Sequence, residues 1–135
     1  NDRGLIKSAH DCSEGGLAIA IAECCISEEE HLVGATIEFE VRPPRRARRA
    51  GRGSSKFEAM RTDALLFGES AGRIVVTCEP YQQERLEALA HKRQVACAVL
   101  GRVGGRRLMI QPWLDVAIED LNHAWRTSLA AHLAS

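Results

Sequence analysis

Residues 17–26, Leu-Ala-Ile-Ala-Ile-Ala-Glu-Cys-Cys-Ile, carry a single charge, that of Glu23. Wound at 3.6 residues per turn, such a run puts apolar side chains on nearly every side of the axis. A helix of this kind has almost no face to give to water, so the fold must cover it on most sides. Glu28, Glu29 and Glu30 end it in solvent. At its other end stands a polar turn, His10-Asp11-Cys12-Ser13-Glu14, followed by Gly15 and Gly16.

The neighbouring segments supply the layers that such a helix needs. Residues 4–10 read as a short strand leading into the polar turn. Residues 34–41 alternate, with Ala35, Ile37, Phe39 and Val41 on one face and Thr36, Glu38 and Glu40 on the other, which predicts a half-buried strand. Residues 56–70 read as a helix or broken helix that runs into a Gly-Glu-Ser turn. Residues 72–78 are a strand rich in β-branched side chains. Glu79-Pro80 opens a helix with Leu86, Leu89 and Ala90 on one face. Residues 95–103 and 107–113 predict two strands joined as a hairpin at Gly104-Gly105. A last amphipathic helix spans about 118–133, with Leu121, Trp125, Leu129 and Leu133 turned inward. Trp113 and Trp125 read as core or interface anchors. The expected fold class is α+β, a mixed sheet with helices packed on one side, in a single domain over residues 1–135. No internal repeat interrupts it. A first residue of Asn1 suggests a piece of a longer chain.

Composition narrows the setting. The five cysteines form no CxxC pair, and Cys24 and Cys25 point about 100° apart on a helix, a poor start for a disulfide or a zinc site. The odd count and apolar surroundings favour reduced, buried thiols and a cytoplasmic location. No apolar run is long enough to span a membrane, and no signal peptide is visible.

The turn at 10–16 admits two readings. Ser13 is placed to cap the helix, and the free N–H groups of Glu14 to Leu17 form an anion-attracting helix start. Glycines let a phosphate approach the backbone, and Asp11 offers a hard oxygen to a magnesium ion. Alternatively, Ser13 only caps, and Gly15-Gly16 permit tight helix–sheet packing. The residues alone favour this second reading. His10 beside Asp11 could serve acid–base chemistry, but without an adjacent nucleophile it reads as a structural histidine. His31, His91, His123 and His132 lie in surface contexts.

Residues 8–25, 65–76, 100–110 and 116–129, taken in order, resemble the C-terminal domain of the phosphoribosylformylglycinamidine synthases, within the aminoimidazole ribonucleotide synthetase superfamily. Only the basic stretch 42–56 falls outside the likeness. The resemblance implies the C-terminal part of an ATP- and Mg2+-dependent C–N ligase of purine biosynthesis. That enzyme acts on formylglycinamide ribonucleotide, together with the remaining domains of the synthase and a glutaminase domain or subunit that supplies ammonia. The piece alone is not expected to turn substrate over, and no catalytic residue is assigned within it. Carried over residue by residue, Asp11 is the metal candidate, and Ser13, Gly15 and Gly16 are the nucleotide candidates. Glu69, Ser70 and Arg73 are the substrate-turn candidates. Ala71 stands where the family often has glutamine, which removes an amide donor and acceptor. The turn at 67–73 also has a structural reading, in which Glu69 pairs with Arg73 or caps a backbone amide.

Two rival functions remain open at this level. One is a non-catalytic domain that completes the enzyme without touching ligand. The other is a nucleic-acid-binding module. The 18 basic and 18 acidic residues cancel, yet seven basic residues and no acid fall between Arg42 and Lys56. Such a stretch binds phosphates non-specifically. No aromatic residue interleaves its arginines and no recognition motif surrounds them, which argues against nucleic acid. The stretch reads instead as a solvated loop insertion. Deleting Arg45 to Gly53 is therefore expected to shift stability by no more than about 0.5 kcal/mol, as is usual where no buried contact is lost. Thermal unfolding of the deletion beside the parent checks this, and a loss of several kcal/mol would contradict it.

Overall fold

The computed structural model describes residues 4–38, 62–69 and 71–133; the basic stretch 42–56 lies outside them. The chain forms β1 (Ser8–Asp11), α1 (Gly16–Ile26), β2 (Ala35–Glu38), α2 (Thr62–Phe67) and β3 (Ile74–Thr77). A 3-10 turn at Pro80–Gln82 leads into α3 (Gln83–Lys92), followed by β4 (Gly101–Val103), β5 (Arg107–Gln111), β6 (Leu114–Ala117) and α4 (Ile118–Leu133). The expected α+β class holds: a mixed sheet carries helices on one side.

The main sheet has the order β4-β2-β5-β6. Its inner face is built by the alternation read from the sequence. Ala35 and Ile37 of β2 and Leu108 and Ile110 of β5 are buried, and the last two are fully buried. They share one core with Leu17, Ala18, Ala20, Ile21, Cys25 and Ile26 of α1, Leu66 of α2 and Ile118 of α4. On the outer face Thr36 and Met109 are half-buried, and Arg107 meets Asp115 at 2.6 Å. Each fully buried Leu or Ile contributes about 1.5–3 kcal/mol, so α1, with Leu17, Ile21 and Ile26 inside, anchors the molecule.

The hairpin expected at Gly104-Gly105 is not one. β2 is inserted between the two strands, antiparallel to β4 and parallel to β5. The chain crosses the start of β2 in residues 104–106. Gly34 N–H donates to Gly105 O (2.9 Å), and Gly104 N–H donates to Gly34 O (2.7 Å). A paired glycine marks a reversal but cannot say whether a third strand occupies the gap. Of the strand expected over 95–103, only Gly101–Val103 pairs; Val95 and Val99 are exposed. β6 was not foreseen, because the chain reverses at Pro112-Trp113 without a glycine or asparagine to mark the turn.

β1 and β3 form a separate antiparallel ribbon, Ser8 opposite Thr77 and Asp11 opposite Ile74. Both strands pack against α1. α4 matches its expected span, with Ile118 buried and Leu121 packed on the core. Trp125, however, is 53% exposed, and Trp113 is 43% exposed, so neither is a core anchor. At 1.5 Å per residue, α4 is about 24 Å long and outruns the 11-residue α1 against which it lies.

Gly34 sits under the crossover, where a Cβ would strike the Arg107 backbone and the Gly104 carbonyl. Gly34→Ala is expected to cost about 1–3 kcal/mol through overpacking. Urea unfolding measures it, and an unchanged midpoint would refute the close approach.

Candidate functional site

β1 and β3 end together, and the turns that leave them are stitched side by side. Asp11 pairs with Ile74 across the ribbon, and Cys12 N–H donates to the Arg73 carbonyl (3.0 Å). From there one turn runs up to α1 and the other comes down from α2. The start of α1 rests on the end of α2: a Cβ on Gly16 would lie 2.6 Å from the Phe67 carbonyl carbon, and Gly16 holds φ +76°. Only glycine fits such an approach with such a backbone. Of the two roles expected of Gly15-Gly16, the packing role takes a different partner from the sheet: Gly16 meets a helix end.

Ser13 does not cap α1. The N-cap is Gly15, at φ 70°, and it has no side chain to offer. The two glycines carry the helix start past Ser13 and out of its reach. Its Oγ turns back and donates to Asp11 Oδ2 at 2.6 Å. The amide of Gly15 is satisfied from elsewhere, by Glu69 Oε1 at 3.2 Å. A carboxylate at a helix start is favourable in the field of the exposed N–H groups. Glu69 thus caps a backbone amide, one of the two roles foreseen for it, and does so from 54 residues away. No local sequence signal announces that contact.

Arg73 faces the other way. Its guanidinium donates to the carbonyls of Leu65 (3.3 Å) and Gly68, at the C-terminal end of α2, where helix carbonyls lack partners. Its Nε is buried and has no partner among the described residues. Ser70 lies outside the described residues. Asp11, Ser13, Gly15, Gly16, Glu69 and Arg73 therefore lie on one ledge, although the resemblance gave them as two separate groups.

Asp11 is exposed, and among the described residues its carboxylate takes one side-chain hydrogen bond, from Ser13. His10 lies between two acceptors, Asp11 O at 2.7 Å from Nδ1 and Glu23 Oε2 at 3.1 Å from Nε2, and ties β1 to α1. This is the structural role expected of it. All five cysteines are free. Burial, with the neighbouring Cys24, pushes the Cys25 thiol up to about 11, and burial likewise raises Cys24. Both are poor thiolates. Cys97 is exposed, against the expectation of buried thiols. No group of three or more His, Cys, Asp or Glu that could hold a metal occurs among the described residues. No helix among them is long and apolar enough to cross a membrane.

The family described as AIR synthase related protein, C-terminal domain, matches residues 1–110. The phosphoribosylformylglycinamidine synthase subunit PurL of Anaeromyxobacter dehalogenans (strain 2CP-C) is 41% identical over 133 residues, which is 96% of this chain and 16% of that protein. The subunit of the same name from Nocardioides sp. (strain ATCC BAA-499 / JS614) is 35% identical over 132 residues, 96% of this chain and 14% of its own length. That from Moorella thermoacetica (strain ATCC 39073 / JCM 9320) is 31% identical over 135 residues, 97% of this chain and 16% of its own length. The chain spans about one sixth of the length of the curated relatives it matches.

The position of the cap can be tested by substitution. Because Ser13 only meets Asp11 on the surface, Ser13→Ala is expected to cost at most about 0.5 kcal/mol, well short of the ~1 kcal/mol of a lost N-cap. Chemical denaturation distinguishes the two. A full cap's worth of destabilisation would return Ser13 to the helix start.

Proposed function

The chain belongs to the family of AIR synthase related proteins, as their C-terminal domain, and from that premise we propose that it is the C-terminal part of a phosphoribosylformylglycinamidine synthase. The reaction converts formylglycinamide ribonucleotide, ATP and ammonia to formylglycinamidine ribonucleotide, ADP and phosphate, with ammonia from a glutaminase domain or subunit. It is a cytoplasmic step of purine biosynthesis. One phosphoryl group activates the amide oxygen as a leaving group, and ammonia displaces it. These steps need groups from several domains around one pocket. This chain contributes one ledge, not a catalytic residue.

The observation that carries the reading is the exposed carboxylate of Asp11, held by Ser13 Oγ in the turn that leads into α1. Magnesium is commonly held by one or two carboxylates together with nucleotide phosphates and water, so a single Asp suffices as the protein's share. Bound there, the ion would neutralise phosphate charge. Asp11 would hold it, Ser13 would orient Asp11, and the start of α1 would face the phosphates. Glu69 and Arg73 are engaged with backbone groups, which supports a structural part for both and speaks against a direct grip on the ribonucleotide. The same engagement favours, as second reading, a scaffold domain in which the ledge holds no ligand.

Asp11→Asn separates the two. The amide keeps the shape and still accepts from Ser13, but it removes the charge that the ion requires. In the full-length synthase, with the catalytic site blocked, Mg-ADP affinity measured by calorimetry is expected to fall roughly tenfold or more. Equal affinity in parent and variant, or no second nucleotide at all, would leave the scaffold reading standing.

A further inference from the structure

Among the described residues, three contacts join residues 12–16 to the end of α2 and the start of β3. Two are backbone features: the Cys12 N–H to Arg73 O bond, and the bare approach of Gly16 to Phe67. The third is a side-chain hydrogen bond, Glu69 Oε1 accepting from Gly15 N–H, made beside a Cys12 side chain that is buried in the core. Gly15 has no side chain of its own, Ser13 is turned to Asp11, and neither Glu14 nor any other residue of the turn caps the helix. Arg73 holds the carbonyls of Leu65 and Gly68, so the backbone just before Glu69 is itself fixed. We infer that Glu69 is a positioning residue: its carboxylate fixes the 12–15 turn through the Gly15 amide, and so sets where Asp11 and the start of α1 stand when a ligand arrives. This deepens the nucleotide reading above and rests on it for one of two measurements.

The inference turns on reach rather than on charge, and three substitutions separate these. Glu69→Gln keeps the length and an acceptor oxygen but loses the charge. Glu69→Asp keeps the charge but is one methylene short of Gly15. Glu69→Ala loses both. The first measurement, in the full-length protein, is amide hydrogen exchange in peptides covering residues 10–17. Glu69→Asp and Glu69→Ala are expected to speed exchange there about tenfold, the loss of one hydrogen bond, while Glu69→Gln, which keeps an acceptor at the same reach, stays within about twofold of the parent. The second is Mg-ADP affinity with the catalytic site blocked, for variants whose melting temperatures match the parent's. It is expected to weaken about tenfold for Asp and Ala and to be retained by Gln.

If Glu69 instead meets metal or substrate by its charge, Glu69→Gln fails as badly as Glu69→Ala while Glu69→Asp survives, and the inference is overturned. Unchanged exchange in both Glu69→Asp and Glu69→Ala overturns it as well. Should Glu69→Ala not fold, the Asp and Gln pair decides alone. A parent that binds no second nucleotide removes the nucleotide reading, and the exchange result then decides the inference by itself.

Discussion

The burial of α1 on nearly every side governs the rest of the molecule. Leu17, Ala18, Ala20, Ile21, Cys25 and Ile26 are buried from opposite directions, so the sheet alone cannot cover the helix. α2 and α4 have to close against it. That demand extends to its first residue, where α2 ends on top of Gly16 and leaves no room for a side chain. A helix that begins against another element loses the freedom to cap itself with the residue before it. The donor at Gly15 is then satisfied by whatever the covering element can bring, and α2 is followed by Glu69. The ledge is thus a consequence of how an all-apolar helix is packed at its end.

Much of this was legible in the residues, for reasons that differ between elements. α1, β3 and α4 were read from composition and period, because each has one strong local signal: an unbroken apolar run, a β-branched cluster and a long amphipathic repeat. The inner face of β2 followed from alternation, and Ala35 and Ile37 are buried as that pattern requires. Strand order was not legible. The reversal at Gly104-Gly105 looks the same whether β4 and β5 touch or receive β2 between them, and only the long-range pairing decides. The exposure of Trp125 escaped for a related reason, since a helix pattern states which way a side chain points but not how far the neighbouring layer extends.

The ledge shows the same division. The family likeness brought Asp11, Ser13, Gly15, Gly16, Glu69 and Arg73 to notice as two separate groups, one for nucleotide and one for substrate. The fold makes them a single object, held by Cys12 to Arg73 and Gly15 to Glu69. Ser13 was assigned to the helix because a serine before an apolar run is an N-cap signal. Two left-handed glycines defeat the signal by shifting the start of the helix two residues on.

The charge on this ledge bears on what it can hold. A bare helix start attracts anions. Here one of its donors already carries a carboxylate, that of Glu69, while Asp11 and Glu14 add further negative charge within the same turn. Among the described residues of the ledge, the cation Arg73 is turned away toward the carbonyls of α2. An anion arriving by itself would meet like charge over much of its approach, and at ~4 Å near a protein surface each unit charge opposes it by about 4 kcal/mol before screening. A phosphate that arrives with a divalent cation meets the opposite situation, because the exposed carboxylate of Asp11 can then serve as a ligand instead of a repellent. The charge on the ledge therefore suits the proposed metal-bound phosphate better than a free anion.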